Sequence, residues 1–306
     1  MRICLVSNAR IPVRLYGGIE RVVQWLAQDF AAMGHRTSLV ARAGSAIDNV
    51  QCIGADSAQQ ALQRLPDADI YHFHGWPPPD DFARPWLYSL QGNEPLPQPA
   101  HALGISADHA RRHGLKTFVY NGVDPAEFIY REHKQDHLLF FSKVRRRVKG
   151  APRALGLARA HGLKLVVAGG YRFDLLKVGG FLQSLHPSIS FRGEVGGARK
   201  AELFADARAL LFPIQWDEPF GLVMIEALLS GTPVIATPRG SVPELVPPQA
   251  GALFTEDAQF GAALEHVARC RPSDCRDWAM ERFSSQVCAR SYLALYQRIL
   301  DGEDLF

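Results

Sequence analysis

"RICLVSNARIPVRLYGGIERVVQWLAQDFAAMGHRTSLVAR", residues 2–42, sets the architecture. It opens on a short apolar run, Ile3 to Val6, and closes on another, Leu39 to Ala41. Between them, "GIERVVQWLAQDFAAMG" places Ile19, Val22, Val23, Leu26 and Phe30 on one face at a 3.6-residue period, and Gly34 ends the pattern. A buried strand, an amphipathic helix and a second buried strand make the repeating unit of a parallel sheet. Parallel neighbours need such a crossover, whereas a hairpin turn serves only antiparallel ones.

The rhythm continues outward from this unit. "ADIYHFHG", "PWLYSLQG" and "HALGIS" supply further strands. It restarts after about residue 130. "DHLLFFSKV" precedes the helix "APRALGLARAHG", and "LKLVVAGG", "ISFRGEV", "ARALLFPI" and "TPVIAT" follow as strands. Glycines 75, 92, 169, 170 and 193 recur where strands stop, the edge of an open α/β sheet at which ligands bind. Residues 121–137, "NGVDPAEFIYREHKQDH", are polar and contain a proline, as a linker does. The expected fold is α/β, with two Rossmann-like doubly wound parallel-sheet domains facing a cleft. The first spans 1–130 and is completed by a C-terminal helix over about 285–306; the second spans 131–284.

Length and composition agree with two globular domains. The chain has 306 residues, 47% of them apolar and 21% charged, which excludes a disordered or low-complexity protein. No run of about 18 apolar residues is present to span a bilayer. The first residues lack the long apolar stretch of a leader, so the expected location is cytoplasmic, free or peripheral at the inner face of the cell membrane. Five scattered cysteines form no CxxC pair, which predicts free thiols and neither a zinc site nor a disulfide framework. His72 and His74 alternate on one strand face with no third ligand nearby, so no metal site is expected. His72 reads as a buried, hydrogen-bonded residue, and His74, at the strand end beside Gly75 and Trp76, as a residue lining an acceptor cleft.

The chemistry concentrates in "DEPFGLVMIEALLSG", residues 217–231. Pro219 suits the first turn of a helix, where its missing N–H is not needed. Phe220, Gly221 and Leu222 would then offer free backbone N–H groups at the helix start, a natural phosphate site, with Gly221 permitting close approach. Glu218 stands just outside that start. Glu226 lies eight residues on, about 12 Å at helical rise. A carboxylate accepts two hydrogen bonds from vicinal hydroxyls, so this spacing fits a ligand with a central diphosphate and a hydroxyl-bearing ring at each end. A dipole-complementing Glu218 and an exposed Glu226 are the bland alternatives. A charge inside "GLVMIEALL" is expensive without a partner, and this favours the ligand reading.

Two further stretches point to anions. "YGGIERVV" sets Gly17 and Gly18 before a helix, either near a phosphate or in a plain turn. "FFSKVRRRVKG" sets Lys143 at a strand end and Lys149 before Gly150, where two ammonium groups would neutralise a diphosphate. Arg145 to Arg147 exceed that need. They read as a solvated basic loop, or as attraction to an anionic membrane or an acidic acceptor. With "SADHARRHGLK", residues 106–116, they would make one basic face.

These pieces, in this order, resemble retaining glycosyltransferases of family 4 with the GT-B fold, and the match runs over most of the chain. "EPFGLVMIE" is similar to that family's E-x7-E motif. "YGGIERVVQWLAQDFAAMGHRTSLVA" is similar to its glycine loop and first helix, "YNGVDPAEF" to its entry to the second domain, and "GTPVIATPRGSVPELV" to the segment after the motif. The resemblance implies a nucleotide diphosphate sugar as donor, a hydroxyl acceptor such as a glycan, lipid-linked saccharide or small molecule, and no metal or other cofactor. It gives Glu218 the donor-sugar hydroxyls and Phe220, Gly221 and Leu222 the sugar and diphosphate. Glu226 receives the ribose, and Lys143 and Lys149 the phosphates as catalytic cations. Gly18, beside Gly17, closes from the other domain, and Gly193, Glu194 and Val195 read the base through their backbone. Three features depart from the family. Lys143 stands where arginine is common, with one residue more before the following lysine. Gln91 stands where histidine is common, and glutamine can hydrogen-bond an acceptor but cannot shuttle a proton near neutral pH. The first domain is short. The expected activity is hexosyl transfer with retention by front-face attack, in cell-envelope or polysaccharide biosynthesis. The alternatives are another GT-B nucleotide-sugar enzyme such as an epimerase, or a non-catalytic nucleotide-sugar-binding protein. A nucleic-acid partner is not expected, because the charge is balanced overall and the basic cluster stands alone.

Overall fold

The computed structural model describes residues 1–13, 17–93 and 99–306; Tyr16 of the glycine loop lies outside the described residues. The chain divides into two compact units. One comprises Met1–Asp124 with Phe283–Phe306, the other Pro125–Arg282.

The first unit is built on six parallel strands: β1 (Arg2–Val6), β2 (Arg36–Ala41), β3 (Gln51–Gly54), β4 (Ile70–Phe73), β5 (Trp86–Ser89) and β6 (Ala102–Leu103). Their order is β3-β2-β1-β4-β5-β6, so the winding reverses between β1 and β4. The core of β1 and β4 is buried throughout, as both faces of a parallel sheet must be, which is why these strands read as apolar runs, broken only by His72 on β4. The helix Gly18–Ala32 buries Val22, Val23, Trp25, Leu26 and Phe30. Ile19, expected on that face, is 37% exposed in the first turn of the helix. The closing helix Ser285–Leu300 packs beside it, with the Phe30 and Tyr296 rings 5.7 Å apart. Tyr296 and Tyr292 then reach the sheet. His72 Nδ1 lies 2.6 Å from the Tyr296 hydroxyl, His72 Nε2 is 2.7 Å from Ser89 Oγ, and Ser89 Oγ is 2.7 Å from the Tyr292 hydroxyl. His72 is thus the buried structural histidine that its position on β4 predicts.

The second unit repeats the design with β7 (Gln135–Phe141), β8 (Leu165–Ala168), β9 (Ile189–Phe191), β10 (Ala207–Phe212), β11 (Val234–Ala236) and β12 (Gly251–Leu253). All pairs are parallel, in the order β12-β11-β10-β7-β8-β9, and the reversal falls between β10 and β7. Leu138, Phe140, Leu155, Val167, Leu211 and Phe260 centre its core. The two doubly wound parallel sheets are those the strand–helix rhythm predicts. Two local expectations change. The stretch 121–137 is not linker throughout, since Gln135, Asp136 and His137 already belong to β7; they form its solvent-exposed end, where apolar residues are not required. Pro219 is not in a first helical turn, because the helix begins only at Leu222.

Candidate functional site

In an open α/β sheet the strand order reverses at a crevice, and the loops leaving the two central strands open around it. In the second unit those loops are 142–150, after β7, and 213–221, after β10. They are stitched together by Gln215 N–H donating to the Val148 carbonyl at 2.8 Å. Gly150 makes the approach possible. It adopts φ 79°, and a Cβ there would lie 2.1 Å from the Pro213 carbonyl oxygen. Lys149 precedes it, at the end of the short 3-10 turn Arg147–Lys149.

Lys149 and Glu218, one from each loop, meet in this crevice. Lys149 Nζ donates to Glu218 Oε2 at 2.6 Å, and both residues are buried. Trp216 Nε1 donates to the same oxygen at 2.6 Å. The Trp216 ring lies under two cations, Lys149 Nζ at 4.7 Å from its centroid and Arg146 Cζ at 5.0 Å. The backbone of Glu218 is clamped as well. It bridges Gly240 in parallel register and its carbonyl accepts from Ser241 N–H at 3.0 Å. Lys143 is half-buried in the first loop, and its carbonyl accepts from Arg146 N–H at 3.0 Å.

The helix Leu222–Leu229 starts beside this cluster. Gly221 is its N-cap at φ 88°, in the left-handed region that halts helical geometry, and this leaves Pro219 and Phe220 in the preceding loop. Phe220 is buried, and its carbonyl accepts from Ser241 Oγ at 2.7 Å. The first-turn N–H groups of Leu222 and Val223 have no carbonyl within the helix. Because the helix begins at Leu222, Glu226 lies only four steps along it, about 6 Å of rise. The eight-residue interval between the glutamates is therefore half loop and half helix, and not the continuous helical 12 Å of the sequence reading.

Glu226 is buried and paired. Lys200 Nζ donates to Glu226 Oε1 at 2.5 Å, and both side chains are inside the unit. Lys200 comes from the helix Gly197–Asp206, where Ala201, Phe204 and Ala205 share its buried face. Its ammonium lies 5.5 Å from the Phe141 ring centroid and 5.5 Å from that of Phe128. Both glutamates thus have one oxygen anchored by a lysine. Among the described residues, no hydrogen bond engages Glu218 Oε1 or Glu226 Oε2.

Gly193, Glu194 and Val195 leave β9 at the same carboxyl edge. Gly193 is at φ 68°, with its Cβ position 2.9 Å from the Tyr171 ring, and its carbonyl accepts from Gly169 N–H at 2.8 Å. Glu194 is exposed. The structure therefore gathers Lys143, Lys149, Gly193 to Val195, Glu218, Phe220 to Leu222 and Glu226 within one unit.

The remaining candidates belong to the first unit, also at carboxyl ends of strands. Gly17 is the N-cap of the helix Gly18–Ala32 and Gly18 its first residue. His74 follows β4 and is 4% exposed; burial pushes its imidazole down to about 3, so it is neutral at ordinary pH. Its Nε2 is buried and has no hydrogen-bond partner among the described residues. Gln91 follows β5, with its amide occupied by Asn121. Asn121 Nδ2 donates to Gln91 Oε1 at 2.9 Å, and Gln91 Nε2 is 3.4 Å from both Asn121 Oδ1 and His74 Nδ1. No group of three or more His, Cys, Asp or Glu arranged to hold a metal occurs among the described residues.

Trp216, Lys200 and Asn121 escaped the sequence reading. A lysine on the apolar face of "ARKAELFADA" was the available signal for Lys200, since a buried lysine demands a carboxylate. Nothing local marks Trp216 or Asn121.

Comparison with known proteins agrees with this geometry. Residues 129–269 match the family model "Glycosyl transferases group 1". Glycogen synthase of Deinococcus deserti is 32% identical over 127 residues, 38% of this chain and 28% of that protein. D-inositol 3-phosphate glycosyltransferase of Streptomyces griseus is 33% identical over 122 residues, 40% of this chain and 23% of that protein. The chain thus spans about a quarter of the length of these relatives. AviGT4, a glycosyltransferase involved in avilamycin A biosynthesis, superposes with TM-score 0.86 at 26% identity, over 99% of this chain and 98% of that one. Sucrose-phosphate synthase of Thermosynechococcus elongatus has TM-score 0.81 at 16% identity over 99% and 100%, a likeness of fold. The second unit thus carries the segment that matches the glycosyl transferases group 1, and the chain is similar in fold to these glycosyltransferases.

Proposed function

We propose that this chain transfers a hexosyl group from a nucleotide diphosphate sugar to a hydroxyl acceptor, with retention of configuration. The observation that carries this reading is the pair of buried glutamates on either side of a helix start, each anchored by a lysine through one oxygen and open at the other. Glu218 Oε1 would take hydroxyls of the donor sugar and Glu226 Oε2 those of the ribose. The diphosphate would lie against the N–H groups of the helix start, with Lys143 and Lys149 supplying positive charge as the leaving diphosphate becomes more negative. Those groups would take the role a divalent cation otherwise plays, so the reaction is expected to run undiminished with EDTA present. Gly193, Glu194 and Val195 would read the base through the backbone.

The acceptor side rests on fewer contacts. The unpartnered Nε2 of His74 would meet a hydroxyl of the acceptor, and the depressed basicity of its ring favours hydrogen bonding over proton transfer. The acceptor's proton would pass to the donor phosphate itself in a front-face reaction. Lipid-linked or polysaccharide acceptors, family 4 membership in the retaining class and a role in cell-envelope biosynthesis belong to the same proposal. So do a cytoplasmic placement, peripheral at the membrane, and Gly17 and Gly18 as a loop that contacts the donor phosphate.

Isothermal titration of the chain with UDP-, GDP- and ADP-sugars tests the reading. One nucleotide is expected to bind, and Glu226→Ala is expected to weaken it at least ten-fold. Unchanged affinity in that variant would remove the ribose role. The anomeric configuration of the product, read by NMR, tests retention.

A further inference from the structure

Five large apolar side chains of the second unit stand in solvent within residues 171–185. Tyr171 is 59% exposed, Phe173 73%, Leu176 65%, Leu182 80% and Leu185 52%. They rise from two short helical stretches, Arg172–Val178 and Phe181–Ser184, joined by Gly179 and Gly180. This segment is seated on the unit. Leu175 and Ser184 are buried beneath it, the rings of Phe173 and Phe181 stack at 6.0 Å, and the Cβ position of Gly180 lies 3.2 Å from a Leu155 methyl. Outward-pointing side chains of this size on an anchored segment need a reason, since a soluble surface rarely gathers so much apolar area in one place.

The surrounding charge supplies one. Residues 143–192 contain eleven Lys and Arg and a single acid, Asp174, and although Lys149, Arg153 and Lys164 pair with Glu218, Asp257 and Asp136 from outside the stretch, cations remain in excess, whereas the whole chain carries only +3. Asp174 is spent locally, its Oδ2 accepting from Tyr171 N–H at 2.8 Å. Lys177 is exposed within the apolar group, and Arg145, Arg146 and Arg147 are exposed on the neighbouring loop. That loop adjoins the patch, because the Cβ position of Gly170 lies 2.8 Å from Val144 Cβ.

We propose that this face docks on an anionic lipid bilayer. Phe173, Leu176, Leu182 and Leu185 enter the boundary between headgroups and acyl chains, while Lys177 and the arginine loop lie on lipid phosphates. The charge discriminates among occupants. A second copy of the chain meeting this face through a two-fold axis would set cations against cations. A nucleic acid would take the cations but offers no seat for leucines. An anionic bilayer takes both, without the shape complementarity that a protein partner would require. The inference does not rest on the transfer reaction, since none of these side chains is among the groups assigned to the donor.

The test is co-sedimentation of the full chain with vesicles of phosphatidylglycerol and phosphatidylcholine, against vesicles of phosphatidylcholine alone. Binding is expected only to the first. It is expected to fall steeply as salt rises from about 0.1 M to about 1 M, where screening shortens from about 10 Å to about 3 Å. Leu182→Asp and Leu176→Asp are each expected to lower the bound fraction about ten-fold, with unchanged thermal unfolding and unchanged nucleotide titration. No sedimentation with the anionic vesicles, or binding indifferent to both substitutions, would overturn the proposal. So would a concentration-dependent dimer that Leu182→Asp dissolves, which would make the face an interface between copies. Retained vesicle binding with lost nucleotide binding would sink the transfer reading alone.

Discussion

Glu218 and Glu226 are buried carboxylates, and each is stable inside the unit because a lysine ammonium lies within hydrogen-bonding distance. The pairs differ in what else holds them. Glu218 Oε2 also accepts from the indole of Trp216, whose ring lies close to the Arg146 and Lys149 cations. Trp216→Phe keeps an aromatic ring, smaller than the indole, and deletes the N–H. We expect it to weaken nucleotide-sugar affinity several-fold while lowering stability by about 1.5–3 kcal/mol, the range for a hydrogen bond to a charged group, as read by titration and urea unfolding. Among the described residues Lys200 pairs with one carboxylate, Glu226, and its ammonium lies near three aromatic rings. Lys200→Met strands the Glu226 charge and is expected to cost about 3–5 kcal/mol in urea unfolding. Adding Glu226→Gln should restore most of that loss while nucleotide binding stays impaired. A double variant as unstable as the single one would show that the lysine matters for packing and not for the charge.

At the scale of the element, the decisive piece is the loop between β10 and the helix Leu222–Leu229. It is fixed by one backbone pairing, Glu218 with Gly240, and by one left-handed cap, Gly221. Gly240 has φ 61°, and a Cβ there would stand 2.4 Å from both the N and the O of Glu218. Backbone atoms cannot rotate out of the way as a side-chain tip can. Gly240→Ala is therefore expected to displace Glu218 and abolish detectable sugar-nucleotide binding, at a stability cost of about 1–3 kcal/mol seen as a lower Tm. Gly34→Ala has the same kind of backbone strain, φ 85°, but open space around it, and serves as the control that should leave binding intact. This loop was half-legible. The motif gave its residues and their order, but Pro219 pointed to an earlier helix start. The pairing with Gly240, nineteen residues beyond the helix cap Gly221, is what draws the loop into extended backbone.

At the scale of the whole molecule, the two units differ in their buried titratable groups. The first contains His72, His74 and His109, all with basicity depressed chiefly by burial, His74 to about 3 and His109 to about 4. Each takes up a proton more readily when unfolded, near its ordinary value of 6.5. Their contribution to stability is therefore complete above about pH 6.5 and is lost as the pH falls toward 3. Thermal melts between pH 7.5 and 4 should show Tm dropping through that window, and His74→Phe should flatten the drop. A Tm that stays level down to pH 4 would contradict the buried neutral state. The second unit holds Lys134, with donors to the Ala205 and Ser230 carbonyls and to Thr232 Oγ1 and basicity lowered to about 8 by burial. This depressed group is a cation. Its penalty is complete below about pH 8 and is relieved as the pH rises toward 10.5, so the unit gains stability over that range.

The sequence by itself determined the class of fold and the residues of the motif. Alternating apolar runs and helical periods admit few arrangements other than doubly wound parallel sheets, because local geometry fixes which side chains can share a face. It also located the edge where Lys149, Gly193, Glu218 and Gly221 lie, because strand ends and glycines are written locally. β3 escaped because "QCIG" at an exposed edge carries no continuous apolar run. What only the tertiary structure decided is pairing at a distance. It decided that Lys149 takes Glu218 across 69 positions, that Lys200 takes Glu226 across 26, and that Gln91 spends its amide on Asn121. It also decided that the apolar side chains of residues 171–185 face solvent. A burial requirement is legible in a sequence, but the partner that satisfies it is set by how helices and loops far apart in the chain come to pack together.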